Sequence, residues 1–362
     1  MVKKRFVLSG GGSGGHLYPA ITIAKEILKL EPEAKILYIG GKGRRESRIV
    51  PRYGLDFVPV NVESFPRSLS LRWFKVAWNV PMGLIQSMLV LRKFSPRVVI
   101  GTGGYVCGPV LLGAILLHIP ILIQEQNAMP GVTNRILGRW ATEIYIPFLT
   151  AAKFFPSGRT RITGNPVRPE IATAPSGREK FGLSEDKLTI SFVGGSQGSS
   201  SINAAAIAAL KRMTEFSPQI QIIHQTGERD FQNIKKVYDD LPFTAVVQPY
   251  FDSIEYVYSS TDLIVCRSGA TTLAEITVRG LPAVLIPHPL GQTSQKFNAE
   301  VVKKSGAAVV IQDNQLNGER LADTLTPLIG DREKLSEMGR NSRSLGNSDA
   351  AHEIAERALL FA

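Results

Sequence analysis

Gly10 to His16 reads GGGSGGH directly after the apolar run Phe6, Val7, Leu8, which puts five glycines, a serine and an imidazole within seven residues. Glycines leave main-chain N–H groups uncovered, and a helix starting near Leu17 would aim its positive end at the same space, so the turn predicts an anion site. His16 stands at its lip, where a ring nitrogen could take a proton from a hydroxyl brought in beside the anion. Two more turns share the design. TISFV, Thr189 to Val193, leads into GGSQGSSS and the helical run Ile202 to Leu210, and Val98 to Ile100 leads into GTGGYVCGP, Gly101 to Pro109. Three strand-to-glycine-turn units predict phosphate-rich ligands held between two similar halves. In CRSGATTLAEITVRGLPAVLIPH, Cys266 to His288, a strand ends, Ser268 and Gly269 turn, and a helix starts near Ala270. Ser268 is expected to cap that helix, a role worth about 1 kcal/mol. Glu275, one helical turn from Thr271 and Thr272, is read as the acceptor for two vicinal ribose hydroxyls. The plainer reading, a solvated helix glutamate, is set aside because a glycine turn stands beside it.

These residues need a frame that brings turns together. Short apolar runs alternate with amphipathic stretches: 6–8, 36–39, 98–100, 121–123, 190–193, 220–223, 263–266, 283–286 and 307–311. Such alternation predicts parallel sheets covered by helices on both faces. GNPVRPEIATAPSG, Gly164 to Gly177, carries four prolines without periodicity and reads as a hinge. The expected architecture is α/β, two Rossmann-like domains facing one another across a cleft. Residues 1–163 form the first domain and 164–346 the second, with a last helix in 347–362 assigned to the first. Gly10, Gly12 and Gly15 also satisfy the dinucleotide GxGxxG spacing. The second strand, KILYIGGKG, ends in glycine and lysine where an acidic ribose ligand is needed, which argues against hydride transfer.

Length of 362 residues suits two domains, and 44% hydrophobic against 20% charged residues with mean hydropathy +0.03 suits a globular protein. The net charge of +11 favours an anionic partner: nucleic acid, an acidic leaflet or a phosphorylated substrate. KKR near the start and GKGRRESR at 41–48 read as solvated faces. Nucleic acid is disfavoured because the basic residues scatter instead of interleaving with aromatics in a stripe. Two cysteines, Cys107 and Cys266, in apolar or glycine-rich settings argue against a disulfide framework. The KKR charge is followed by only three apolar residues, so the start reads as a strand and not as a targeting segment. No stretch of about twenty apolar residues occurs, and Val110 to Ile123 is broken by His118 and Pro120.

GGGSGGHLYPA, GTGGYVCGP, QEQNAMPG (Gln124 to Gly131), GNPVR (Gly164 to Arg168), GGSQGS, HQTGERD (His224 to Asp230) and CRSGATTLAE together resemble the MurG family, the UDP-N-acetylglucosamine transferases of peptidoglycan synthesis. The resemblance runs nearly the whole chain in the family's order. It implies a GT-B fold, UDP-GlcNAc as donor and undecaprenyl-pyrophosphoryl-MurNAc-pentapeptide as acceptor, with GlcNAc passing to the 4-hydroxyl of MurNAc with inversion. It assigns the donor site to Ser13, Gly14, Gly15, Asn127, Arg168, Ser196, Phe251 near the uracil, and Ala270, Thr271, Thr272 and Glu275, with Gln295 and Asn298 facing the sugar. Gly11, Gly12, Gly103, Gly104 and Tyr105 are the candidate cradle for the acceptor pyrophosphate. His16 is the expected base, with Glu125 as the alternative. Arg168 and the helix start at Ala270 could balance charge on departing UDP; no DxD-type acid pair stands near these motifs, so neither metal nor cofactor is expected. The chain departs from the family's habit at Ser13, where threonine is usual, at Gln124, where histidine is common, and at Ser294, where histidine or glutamine is common.

A lipid-borne acceptor implies a peripheral protein on the cytoplasmic face of the cell membrane. Leu71 to Phe94 carries Trp73, Phe74, Trp78, Met82, Leu84, Ile85, Met88 and Leu89 among Arg72, Lys75, Arg92 and Lys93, which suits an anionic membrane surface. A buried helix pair would use the same residues, and the need to reach the acceptor decides for the membrane. Competing enzyme readings are a diacylglycerol glycosyltransferase and a UDP-GlcNAc 2-epimerase.

Overall fold

Two parallel sheets carry the chain, seven strands in one and six in the other among the described residues. In this computed structural model those are residues 4–63, 72–289 and 293–362, and the side chains of 72–75 and 293 also lie outside the description. The chain divides into two compact units, Met1–Val167 with Asp349–Ala362, and Arg168–Ser348. The division falls after Val167 and not at 163, because Asn165 is tied into the first unit: Gln124 donates to its Oδ1 at 2.9 Å and its Nδ2 donates to the Gln126 carbonyl at 2.9 Å. The expected hinge is also less extended than its prolines suggest, since Pro169–Thr173 is a short helix with proline in its first turn.

The first unit contains β1 (Arg5–Ser9), β2 (Lys35–Gly41), β3 (Asp56–Val60), β4 (Val98–Gly101), β5 (Ile121–Gln124), β6 (Glu143–Ile146) and β7 (Thr160–Ile162), in the spatial order β3-β2-β1-β4-β5-β6-β7. The second contains β8 (Leu188–Val193), β9 (Ile220–Gln225), β10 (Ala245–Gln248), β11 (Leu263–Cys266), β12 (Ala283–Leu285) and β13 (Ala308–Val310), ordered β10-β9-β8-β11-β12-β13. In both sheets the order reverses beside the first strand, between β1 and β4 and between β8 and β11. Parallel α/β sheets bind ligands at that reversal, outside the carboxyl ends of the strands. All the glycine turns singled out above follow those four strands.

Central strands such as β4, β5, β8, β9 and β11 are buried along their whole length, β4, β5 and β11 as nearly continuous apolar runs under helices on both faces, and β8 and β9 with Thr189, Ser191, Gln221 and His224 hydrogen-bonded inside. In the first unit the helices Gly14–Leu30 and Ala350–Leu360 pack on one face and Arg72–Phe94 and Cys107–Leu116 on the other. The last helix is held by polar contacts as well: His352 meets Glu26 at 3.0 Å, and Arg357 clasps Glu143 of β6, which also accepts from Arg161 at 2.9 Å and Tyr145 at 3.0 Å. These bonds hold the Glu143 carboxyl below its ordinary range despite burial, which pulls the other way.

Candidate active site

In the first unit, the turns after β1 and β4 touch. Gly11 N donates to the Gly103 carbonyl at 3.4 Å, Thr102 N to the Ser9 carbonyl at 2.9 Å, and Tyr38 O–H to the Gly10 carbonyl at 2.5 Å. The approach demands glycine: Gly104 has φ +79° and a Cβ there would lie 2.2 Å from the Gly11 carbonyl oxygen. Tyr105 covers Gly12 and is half-buried. Gly11, Gly12, Gly103, Gly104 and Tyr105 therefore form one surface. The helix begins at Gly14, three residues before the expected Leu17, so Gly14 and Gly15 are its first turn and exposed Ser13 its cap position, without a side-chain capping bond.

His16 sits against this surface, its ring where a Cβ on Gly103 or Gly104 would touch. Its Nδ1 faces two acceptors, the Thr102 carbonyl at 3.0 Å and Gln126 Oε1 at 2.6 Å. The Gln126 amide nitrogen is ringed by the oxygens of Thr102, Gln124 carbonyl and Gln124 Oε1, which fixes Oε1 toward the histidine. Nδ1 must then carry the proton, and the lone pair is left on Nε2.

Glu125, the alternative base, is 1% exposed, and both its oxygens are engaged. Oε1 accepts from Gln126 N at 2.9 Å and from Asn127 N and Nδ2 at 2.8 and 3.0 Å; Oε2 accepts from Gly131 N at 3.0 Å and Asn134 Nδ2 at 2.9 Å. A carboxylate so enclosed organises the loop 125–131, which corrects the expectation that it faces a substrate. Asn127 is half-buried on that loop.

In the second unit, the loop after β8, with Ser196 exposed at its tip, rests on the HQTGERD segment: a Cβ at Gly198 would lie 2.0 Å from the Thr226 carbonyl. Gln225 bridges outward, donating to the Gly195 carbonyl at 3.0 Å and accepting from Phe251 N at 3.1 Å. Arg267 ties this loop to the sheet, donating to Ser199 and Ser201 hydroxyls at 2.7 and 2.9 Å and pairing with Asp313 at 2.5 Å. The turn after β11 leads into the helix Ala270–Arg279, with Ala270, Thr271 and Thr272 as its first turn. Glu275 Oε2 accepts from Tyr258 O–H at 2.9 Å, and Arg168, half-exposed, lies 3.9 Å from Glu255. Burial pushes the Glu275 carboxyl up to about 7, against the Tyr258 bond and Arg168.

Three expected roles change. The cap of that helix is Gly269, not Ser268, whose hydroxyl instead donates to the Gln295 carbonyl at 2.9 Å. The Phe251 ring is 4% exposed and meets Phe181 edge-on in the core, so its main chain is what it can offer a base. Asn298 is fully buried and donates to the Ser268 carbonyl at 3.3 Å, while Gln295 accepts from His288 N at 3.0 Å; the two amides brace the turn from beneath. Thr102, Gln126, Gln225 and Arg267 were not singled out in the sequence, although all four lie inside the quoted motifs GTGGYVCGP, QEQN, HQTGERD and CRSG. The helix Arg72–Phe94 turns Val76 and Leu91 inward and leaves Trp78 70% and Leu89 60% exposed. Leu71 and the side chains of Trp73, Phe74, Arg72 and Lys75 lie outside the described residues.

Two doubly wound units with glycine turns at both reversals define the GT-B class of fold. The Glycosyltransferase family 28 N-terminal domain matches residues 6–146 and the family 28 C-terminal domain residues 189–355. A UDP-N-acetylglucosamine--N-acetylmuramyl-(pentapeptide) pyrophosphoryl-undecaprenol N-acetylglucosamine transferase of Halothermothrix orenii is 42% identical over 362 residues, 97% of each chain. The crystal structure of Acinetobacter baumannii MurG superposes with TM-score 0.82 at 26% identity, covering 99% of both chains. A UDP-GlcNAc 2-epimerase from Neisseria meningitidis, solved with UDP-GlcNAc, reaches TM-score 0.67 at 16% identity, a likeness of fold alone. The chain belongs to the MurG family of family 28 glycosyltransferases, and is a hexosyltransferase.

Proposed function

We propose that the protein moves GlcNAc from UDP-GlcNAc to the 4-hydroxyl of MurNAc in undecaprenyl-pyrophosphoryl-MurNAc-pentapeptide, with His16 as general base. The carrying observation is the His16 ring, with Nδ1 committed to Thr102 and Gln126 and Nε2 left as acceptor beside the joined glycine turns. In the reaction the MurNAc O4 forms a bond to C1 of GlcNAc on the face opposite UDP, the C1–O bond to the diphosphate breaks, and the hydroxyl proton passes to His16 Nε2. The turns at Gly12, Gly103 and Gly104, joined through the Gly11 N–H, offer main-chain N–H groups to the acceptor pyrophosphate. Ser13, Gly14, Gly15, Asn127, Arg168, Ser196 and the helix start at Ala270 are the donor's candidate partners, with Glu275 on the ribose. Charge developing on UDP is met by that helix start and Arg168.

The first unit's outward apolar residues, Trp78, Ile85 and Leu89 on one helix, Leu112 and Leu116 on its neighbour, and Trp140 beyond, form the face for an anionic membrane, with Arg92, Lys93 and Arg139 exposed beside them. Peripheral attachment there brings the enzyme to a lipid-borne acceptor.

The test follows labelled UDP-GlcNAc with and without lipid-linked MurNAc-pentapeptide. Acceptor-dependent transfer is expected, and His16→Ala should lower turnover by about 10² to 10⁴. Conversion of UDP-GlcNAc without acceptor would turn the reading to an epimerase, and near-normal turnover of His16→Ala would remove its role as base.

A further inference from the structure

The second unit has a cavity of about 500 Å³ at the amino-terminal ends of β11 and β12, at the opposite ends of these strands from the glycine turns. Four guanidiniums line it: Arg279 closes the helix Ala270–Arg279, and Arg332, Arg340 and Arg343 come from the helix Arg332–Leu345. Ser336 stands with them, the spacing of three and four residues keeping these side chains on one helical face. Leu281 and Leu335 supply an apolar part of the wall.

Positive charge is in excess here, although the Glu337 carboxylate, one helical turn from Arg340, offsets part of it. The one carboxylate lining the cavity, Asp262, is engaged by Arg178 at 2.6 Å and by Thr189 N at 2.7 Å. Among the described residues, none of the four arginines has a carboxylate at ion-pair distance. Arg343 donates to the Val278 carbonyl at 3.0 Å, and Arg279 to the carbonyls of Ala172 and Ala174 at 3.1 Å. Carbonyls orient a guanidinium without neutralising it. Gly280, with φ +71°, leaves room for Arg343, whose Nε would lie 2.9 Å from a Cβ there. The crowding also lowers the Arg279 guanidinium from its ordinary value, through burial first and the Arg343 charge second. Arg279 is half-buried, Arg343 is exposed, and Arg332 and Arg340 are exposed on the rim, with Arg340 bonded to the Ser336 hydroxyl at 2.9 Å.

We propose that this cavity binds a small molecule carrying two or more phosphate groups. Two guanidiniums oriented by carbonyls, with two more on the rim, match a ligand with several oxyanions, since arginine forks pair with phosphate oxygens two at a time. The volume falls in the range of small-molecule sites, and a concave shape with an apolar wall suits a compact ligand better than a flat membrane or protein surface.

Calorimetry on the full chain with UDP held in excess, so that the donor turns are filled, uses inorganic tripolyphosphate as the probe at fixed ionic strength. Wild type should bind it, Arg332→Ala/Arg340→Ala should weaken binding at least about tenfold, and Lys211→Ala/Arg212→Ala, which removes equal charge elsewhere on the unit, should leave it unchanged. An unaltered melting temperature in the arginine variant shows that the fold is kept. Absence of binding to wild type, or equal loss in both double variants, would overturn the site; the latter outcome is diffuse charge. UDP failing to bind would count against the proposed donor and would leave the comparison of variants intact.

Discussion

Glu275 is a carboxyl whose protonation changes near neutrality, because burial raises it to about 7, with Glu255 adding repulsion and Tyr258 and Arg168 opposing. A carboxylate that accepts from a ribose diol must be ionised, so the free site holds the proton more tightly than the occupied one. UDP affinity should therefore fall as pH drops below about 7, by up to about tenfold per unit for one linked proton. Glu275→Gln should flatten that profile and weaken UDP by about 1.5 to 3 kcal/mol above the titration. Calorimetry across the range decides: an equally steep profile in the variant would remove Glu275 from the ribose. What could be read of such residues in the sequence was their chemistry and not their orientation. For His16 the sequence offered an imidazole beside a glycine turn, but the tautomer depends on Gln126, 110 positions away. Asn298 and Phe251 were legible as motif residues, yet an amide or a ring serves equally to meet a ligand or to brace the loop under it, and burial alone separates the two uses.

Elements were legible where both faces are covered. Val98 to Ile100, Ile121 to Ile123 and Leu263 to Cys266 announced β4, β5 and β11 because a strand buried on both sides must be apolar throughout. The strands not foreseen are those that break this rule. β3 begins with Asp56, carries Pro59 and lies at one edge; β7 and β10 are edges too, as is the foreseen β13; β6 holds a glutamate in the interior only because Arg161 and Arg357 reach it. The contact between the turns after β1 and β4 was likewise hidden, since it depends on strand order. It makes Gly104→Ala a sharp test. The added methyl would meet the Gly11 carbonyl at 2.2 Å in a backbone already at φ +79°, so the two turns must part. Displacement of about 1 Å in a reacting geometry costs about 10² in rate, and that loss of transfer is expected with UDP affinity kept. Gly54→Ala, also left-handed but with open space around it, is the control and should cost only about 1 kcal/mol of stability. Normal transfer by Gly104→Ala, measured with lipid-linked acceptor, would take the acceptor away from these turns.

At the scale of the whole molecule, the net charge of +11 and the outward tryptophans bear on one question, how an enzyme meets a substrate anchored in lipid. No helix of the described residues is long and apolar enough to cross a membrane, and the attachment proposed above is one made by a surface. The helix Arg72–Phe94 has the amphipathic build for it: Val76 and Leu91 are buried in the first unit, while Trp78, Ile85 and Leu89 point away and Arg92 and Lys93 close its exposed end. Each cation near an anionic leaflet contributes about 1 kcal/mol, and each large apolar side chain taken out of water about 1.5 to 3 kcal/mol. Wild type should therefore sediment with anionic vesicles, bind them more weakly as salt rises, and bind neutral vesicles less. Because Trp78 and Leu89 are outside the core, Trp78→Ser/Leu89→Ser should keep the fold and the affinity for UDP while losing at least about tenfold in vesicle binding, the equivalent of one buried side chain. Transfer to an acceptor in vesicles should fall in step, and transfer to the same acceptor dispersed in detergent should not. A double variant that sediments like wild type would mean that this face does not meet the membrane and that the acceptor is reached from another side of the first unit.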